Sequence, residues 1–221
     1  MSRLALSTLA LCLAATTASA ATNVTGTLWL SVSARALARK APAPPAQSGV
    51  NEGVVWVETI PPKVEHKLAS PKRGWFSPRK KTKPLTSVAQ RGDTFAPRVV
   101  AVAAGSRVVF ANPDRLYHST FSVSGAKRFD LGKCAPGRRD TLAFERSGVV
   151  NLHCEIHPDA IGFVVVTPNH AYATPDSAGR FSLPKLPPGS YVLHVWHPRR
   201  GELELPFDVP KRGDVALDPT F

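Results

Sequence analysis

Short apolar runs separated by proline and glycine turns constrain the fold of this 221-residue chain more than any other sequence feature. Apolar residues make up 43% of the chain and charged residues only 20%, which excludes wholesale disorder and a coiled coil. Runs of this length, with no helical period between them, are typical of β-sandwich strands. The sequence therefore predicts an all-β protein, with strands over residues 98–103, 106–111, 141–144, 149–154, 162–167, 180–183 and 191–197.

The first 20 residues have the pattern of an export signal. Arg3 provides a positive charge, residues 4–15 are almost uniformly apolar, and Ala18, Ser19 and Ala20 are the small residues that suit a signal peptidase. The apolar run is too short for a comfortable bilayer span. We therefore expect cleavage after Ala20, a periplasmic or secreted location, and no transmembrane segment in the mature chain.

A basic, proline-rich insertion is predicted over residues 61–88. It carries much of the formal net charge of +12 and is interpreted as a solvated, exposed loop. Docking to an acidic partner or an anionic surface is the alternative. Nucleic-acid binding is not expected, because export removes that partner and the basic run has few interleaved aromatic residues.

Residues 151–158, Asn-Leu-His-Cys-Glu-Ile-His-Pro, place a thiol and an imidazole three residues apart where a strand gives way to a turn. Cys154 and His157 can converge on one ion, because the loop folds back over the strand end. His118, just after another predicted strand, is a third candidate ligand. Two imidazoles and one thiolate form the donor set of a blue-copper electron-transfer site. His153 is placed outside the site, since adjacent strand residues face opposite ways.

Cys134 and Cys154 are the only cysteines outside the signal, and in an exported protein such a pair first suggests a disulfide. That bond would stabilise the fold by about 3 kcal/mol, but it would leave His118 and His157 without a role. Copper is the favoured interpretation; a disulfide, zinc or another metal, and no site at all stay open. With copper bound, Cys134 is a free thiol or a packed small hydrophobic residue. No nucleophilic triad or carboxylate pair stands out, so we predict no catalytic residues and no enzyme activity.

A series of short motifs runs through residues 89–167. In order they are Phe95-Ala96-Pro97, Val109-Phe110-Ala111-Asn112, Tyr117-His118, Phe121-Ser122, Phe129-Asp130-Leu131-Gly132 and Cys154-Glu155-Ile156-His157-Pro158. This series resembles the cupredoxin (plastocyanin-like) family, most closely its periplasmic methylamine-utilisation-like subgroup. The resemblance implies a Greek-key β-sandwich that holds one mononuclear copper through His118, Cys154 and His157 as equatorial ligands. It also implies a periplasmic redox or copper-handling protein as the partner.

The sequence departs from the cupredoxin pattern at two positions. Cupredoxins usually have a methionine shortly after the second histidine, and in the resembling subgroup it would fall at about Ala160. Met1 is the only methionine and lies in the signal, so the mature chain has no thioether ligand. Loss of this long, weak bond is expected to raise the potential of the site rather than abolish copper binding. Ser119 stands where plastocyanin-like proteins usually have asparagine, but its hydroxyl can still bond across the two ligand loops.

The C-terminal segment carries a second set of motifs. They are, in order, a turn over 176–179, a Pro187-Pro188-Gly189 turn, and a strand that puts Tyr191, Leu193 and Val195 on one face. They resemble the second half of a carboxypeptidase regulatory-like β-sandwich, a transthyretin-like and carbohydrate-binding-like fold. Strand-like runs at 26–32 and 53–59 can supply the first half.

These patterns predict five segments and one favoured function. That function is an exported copper-binding protein that transfers single electrons or holds copper. The alternative is a non-redox envelope module that binds carbohydrate or protein and has a vestigial metal site. The segments are a signal peptide (1–20), N-terminal strands that can belong to the C-terminal module (21–60), the basic insertion (61–88), a cupredoxin-like domain (89–167) and a regulatory-like module (168–221).

Overall fold

Strands account for most of the residues described by the computed structural model, which are 22–30, 49–70 and 86–221. The predicted signal peptide and most of the basic insertion lie outside these ranges. One 3₁₀ helix, Val50–Glu52, and one α-helix, α1 (Pro62–Ala69), accompany sixteen strands in the described residues. The strands are β1 Thr22–Thr27, β2 Val54–Val57, β3 Thr86–Arg91, β4 Thr94–Ala96, β5 Val99–Ala103, β6 Ser106–Ala111, β7 His118–Val123, β8 Arg128–Cys134, β9 Arg139–Phe144, β10 Gly148–Cys154, β11 Ile161–Thr167, β12 Tyr172–Ala173, β13 Arg180–Leu186, β14 Gly189–His197, β15 Gly201–Val209 and β16 Val215–Leu217.

Strands β3 to β11 form a β-sandwich, here called the central sandwich. A five-stranded sheet in the order β5-β11-β10-β7-β8 packs against a four-stranded sheet in the order β4-β3-β6-β9. The two sheets share one apolar core that includes Phe110, Phe144, Leu152 and Val164. The all-β sandwich predicted from the turn spacing is therefore confirmed.

Strands from both ends of the chain form a second sandwich, here called the terminal sandwich. Its sheets have the orders β13-β1-β16 and β12-β2-β14-β15. In the first sheet β1 pairs antiparallel with β13 and parallel with β16; in the second, β2 pairs antiparallel with β14. Leu193 and Val195 of β14 point into its core, with Tyr191 packed at the edge, as the alternation predicted.

The two sandwiches pack against each other through a small apolar cluster. Val54 and Trp196 of the terminal sandwich meet Val165 of the central sandwich, and the Trp196 ring lies edge-on to Phe163 with centroids 5.2 Å apart. Strand β11 is therefore covered on both faces, which explains its nearly continuous apolar sequence.

Helix α1 differs from the exposed loop predicted for residues 61–88. Pro62 occupies the first helical turn, where its missing N–H costs nothing. Glu65 accepts hydrogen bonds from the backbone N–H of His170 at 2.9 Å and from its Nδ1 at 2.6 Å. Val64 and Leu68 pack against the terminal core. Within the described ranges no helix is long and apolar enough to cross a membrane.

Candidate metal centre

The three predicted ligands meet at one end of the central sandwich. His118 begins β7, Cys154 ends β10, and His157 lies in the loop that follows. Strands β7 and β10 are antiparallel, with Cys154 opposite Thr120, so the start of one strand lies beside the end of the other. One donor atom from each of the three residues lies within 4.8 Å of the other two.

Two of the three donor separations match the coordination shell of a single ion, and the third, between His118 and Cys154, is within 4.8 Å. His118 Nδ1 lies 3.3 Å from His157 Nδ1, and Cys154 Sγ lies 3.6 Å from His157 Nδ1. Two nitrogens that each bind an ion at about 2.0 Å with trigonal angles lie about 3.5 Å apart. The residues present therefore fit a trigonal metal site with two nitrogens and one sulfur.

Asp114 orients the buried imidazole of His118. Its Oδ2 accepts hydrogen bonds from Gly92 N–H at 2.6 Å and from His118 Nε2 at 2.9 Å. These bonds hold the pKa of the Asp114 carboxyl below its ordinary value. With the proton on Nε2, the Nδ1 atom of His118 keeps a free lone pair toward Cys154 and His157, as metal-ligating histidines require. Asp114 was not among the residues predicted for the site, although a carboxylate four residues before a candidate ligand was a usable sequence signal.

Cys154 is buried, yet its surroundings favour the thiolate. Burial raises the pKa of this thiol. Hydrogen bonds from the Ser119 N–H, the Gln90 side chain and His157 outweigh the effect of burial and lower the pKa to about 6. The Ser119 nitrogen lies 3.4 Å from Sγ. A thiolate is the form of cysteine that binds a metal.

Ser119 links the two ligand loops through its backbone rather than through the hydroxyl that the sequence suggested. Its N–H points at Cys154 Sγ, and its carbonyl accepts a hydrogen bond from Glu155 N–H at 3.1 Å. Because these bonds need no particular side chain, serine in place of asparagine leaves the connection intact.

The other sulfur and imidazole near the site have different roles. Cys134 and Cys154 are both free, so the disulfide alternative does not hold in the structure. Burial raises the pKa of the Cys134 thiol, which marks it as a packed residue. The His153 ring lies 5.6 Å from that of Phe121, outside the candidate metal centre. Ala160, at the position expected for methionine, is fully buried and offers only a methyl group.

Exposed apolar side chains lie next to the ligands in sequence. Leu116 and Tyr117, which precede His118, are 57% and 56% exposed, and Ile156, which precedes His157, is 44% exposed. Single exposed apolar residues are common on protein surfaces, but three beside one site are a feature of contact surfaces.

No protein-family model and no curated protein matches the sequence. Among solved structures, the chain is similar to a purple cupredoxin from Nitrosopumilus maritimus, with 23% identity over 37% of this chain and 99% of that one (TM-score 0.34). It is also similar to a copper-containing nitrite reductase from Thermus scotoductus, with 27% identity over 45% of this chain (TM-score 0.39), and spans 25% of that enzyme. A copper(I) form of an amicyanin variant is 23% identical over 39% of this chain and 86% of its own (TM-score 0.35). The central sandwich, by its strand order and its core, has a cupredoxin-like fold.

Proposed function

We propose that the chain binds one copper ion through His118, Cys154 and His157 and transfers single electrons or holds copper for delivery. The observation that supports this proposal is the convergence of two imidazole nitrogens and one thiol sulfur within 4.8 Å. Thiolate sulfur suits copper(I), and imidazole suits both oxidation states. The ion would supply the one-electron redox chemistry.

The protein's own contribution is a stiff donor set. The Asp114 bond fixes the ring of His118, and the Ser119 bonds fix the loop that carries Cys154. A preorganised set changes little when the charge of the ion changes, which favours fast electron exchange. Because no carboxylate belongs to the set, copper fits better than the oxygen-seeking Mg²⁺ or Ca²⁺.

The proposed partner and location rest on the apolar surface beside the ligands and on the N-terminal sequence pattern. The exposed side chains of Leu116, Tyr117 and Ile156 would give a redox or copper-handling protein apolar surface to pack on beside the ligands. The signal-like pattern of the first 20 residues supports a proposed encounter in the periplasm or outside the cell. We propose a carrier and not an enzyme.

Titration of the purified protein with copper(II) tests the proposal. The wild type is expected to take up one equivalent and to develop an intense visible thiolate-to-copper charge-transfer band. Cys154→Ser should lose the band, whereas the matched variant Cys134→Ser should keep it. A colourless wild type would refute the electron-transfer function, and uptake of zinc alone would favour a structural metal.

A groove between the sandwiches supports carbohydrate binding as a second candidate function. It has a volume of about 350 Å³ and includes Trp56, Glu58, His194 and Glu202 in its wall. Trp56 stacks on His194 with centroids 5.2 Å apart, and Glu202 lies 3.1 Å from His194 Nδ1. An aromatic ring beside carboxylates suits a sugar. Glycan binding by metal-free protein that is lost in Trp56→Ala and kept in Trp29→Ala would favour this function.

A further inference from the structure

Gln90 has a buried carboxamide oxygen that accepts no hydrogen bond from the described residues. The alternation of β3 turns Val88 and Gln90 into the central sandwich, and Gln90 is only 3% exposed. Its nitrogen donates a weak bond to the Gly92 carbonyl at 3.4 Å, and the side chain also hydrogen-bonds the Cys154 sulfur. An unsatisfied buried acceptor costs about 1–3 kcal/mol, so packing alone would favour an apolar residue here. The burial of this unpartnered oxygen therefore suggests that it binds a group that is not among the described residues.

The carboxamide lies beside two of the proposed copper ligands. Gln90 and His118 line the same small cavity, together with Thr120. The Gln90 side chain also interacts with the sulfur of Cys154. Gln90 thus lies beside His118 and Cys154 on β3, a strand that carries none of the three ligands.

The three-residue donor set lacks an axial partner. Blue-copper sites complete the trigonal plane with a long, weak bond to methionine, glutamine or a backbone oxygen. Met1 is the only methionine of the sequence, and the Ala160 side chain has no donor atom. Rotation of the Gln90 carboxamide by half a turn exchanges its nitrogen and oxygen: it gives up the weak bond to Gly92 and the N–H₂ bond to the Cys154 sulfur, and it gives the unpartnered oxygen a ligand. Glutamine therefore has both the chemistry and the freedom required.

We propose that Gln90 Oε1 is the axial donor to the copper, in place of the missing thioether. This inference rests on the proposed function and names the ligand that tunes it. An oxygen donor stabilises copper(II) more than copper(I). The reduction potential is then lower than that of the three-coordinate site that the sequence suggests.

Two other roles for Gln90 lead to different results. If the N–H₂ group keeps its bond to the Cys154 thiolate when copper is bound, it withdraws charge from sulfur and favours copper(I), so its removal lowers the potential. If its oxygen only meets a water molecule in the small cavity, whose volume is about 10 Å³, its removal leaves the potential unchanged. The sign of the change separates the three roles.

The test compares the reduction potentials and the copper(II) electron paramagnetic resonance spectra of the wild type, Gln90→Leu and Gln90→Glu, each loaded with one copper. Gln90→Leu should shift the copper(I)-to-copper(II) affinity ratio at least tenfold toward copper(I), which raises the potential by about 59 mV or more. It should also change the copper hyperfine splitting. Gln90→Glu should lower the potential, because a carboxylate is a stronger donor.

Controls separate a metal effect from a folding effect. Thr120→Val changes the polarity of the same cavity and should leave the potential unchanged. Metal-free Gln90→Leu should unfold at the same or a higher temperature than the wild type, since it removes an unsatisfied acceptor; if it does not fold, Gln90→Asn withdraws the donor and keeps the amide. An unchanged or lowered potential in Gln90→Leu overturns this inference alone, whereas a wild type that binds no copper overturns the proposed function with it.

Discussion

Asp114 Oδ2 and His118 Nε2 lie 2.9 Å apart, and the same carboxylate oxygen accepts the backbone N–H of Gly92 at 2.6 Å. The carboxylate thus ties a buried histidine to the turn between β3 and β4. A carboxylate in this position raises the basicity of the imidazole and fixes which nitrogen faces the other donors.

Asp114→Asn is therefore expected to weaken copper binding by about 10- to 100-fold. The amide can turn its N–H₂ group toward His118 Nε2 and so favour the wrong tautomer. Competition with a chelator of known copper affinity measures the change. Asp159→Asn, an exposed carboxylate in the loop after His157, is the matched control and should bind copper like the wild type. Equal affinities for the two variants would contradict the role of Asp114.

The free energy of unfolding is expected to fall as the pH drops below about 6.5 because of His197. Burial lowers the pKa of this histidine, although the hydrogen bond to the Gly49 carbonyl opposes the shift. Arg199 N–H donates to its Nδ1, so the folded state favours the neutral ring. The unfolded state then binds more protons, and the stabilisation present above the unfolded pKa is lost on acidification.

Denaturant unfolding of the wild type and His197→Gln from pH 7.5 to pH 5 checks this sign. The variant should be less stable at neutral pH and should show a smaller loss on acidification. His66→Gln removes an exposed histidine from α1 and serves as the control. A wild-type stability that increases as the pH falls would show that His197 does not dominate this range.

Gly26→Ala is expected to destabilise the terminal sandwich by about 1–3 kcal/mol. A methyl group at this position of β1 would overlap the Leu217 carbonyl oxygen and the Phe181 ring, and so would push β1 away from β16 and β13. Gly125→Ala is the control, since its added methyl group meets no atom within 4 Å. Equal unfolding midpoints for the two variants would show that β1 does not pack between these strands.

Trp196→Ala is expected to lower the free energy of unfolding by about 3–5 kcal/mol. The indole is 8% exposed and fills the contact between the two sandwiches against Phe163. Trp29→Ala removes a ring that is 47% exposed and should cost much less. Denaturant unfolding measures both losses of stability. Equal losses would show that Trp196 does not hold the two sandwiches together.

The sequence predicted those strands in which buried apolar residues either alternate with exposed residues or follow one another without a break. Strands β6, β10, β11 and β14 lie at or near their predicted positions, because each presents a regular apolar face to a core. Strand β8 was missed, since most of its residues are exposed. Strand β15 was missed because it contains Pro206, which a sheet tolerates only at an edge such as this one.

The sequence by itself determined the donor chemistry and the absence of methionine, because residue types and their spacing at a strand end are local properties. It also determined the all-β class through its turn residues. Only the tertiary structure decided that β1 lies between β13 and β16, that Asp114 fixes His118, and that the unpartnered oxygen of Gln90 lies beside the site. These relationships join segments that are distant along the chain or face each other across the sandwich, so they depend on how the sheets bury their apolar faces and not on any local pattern.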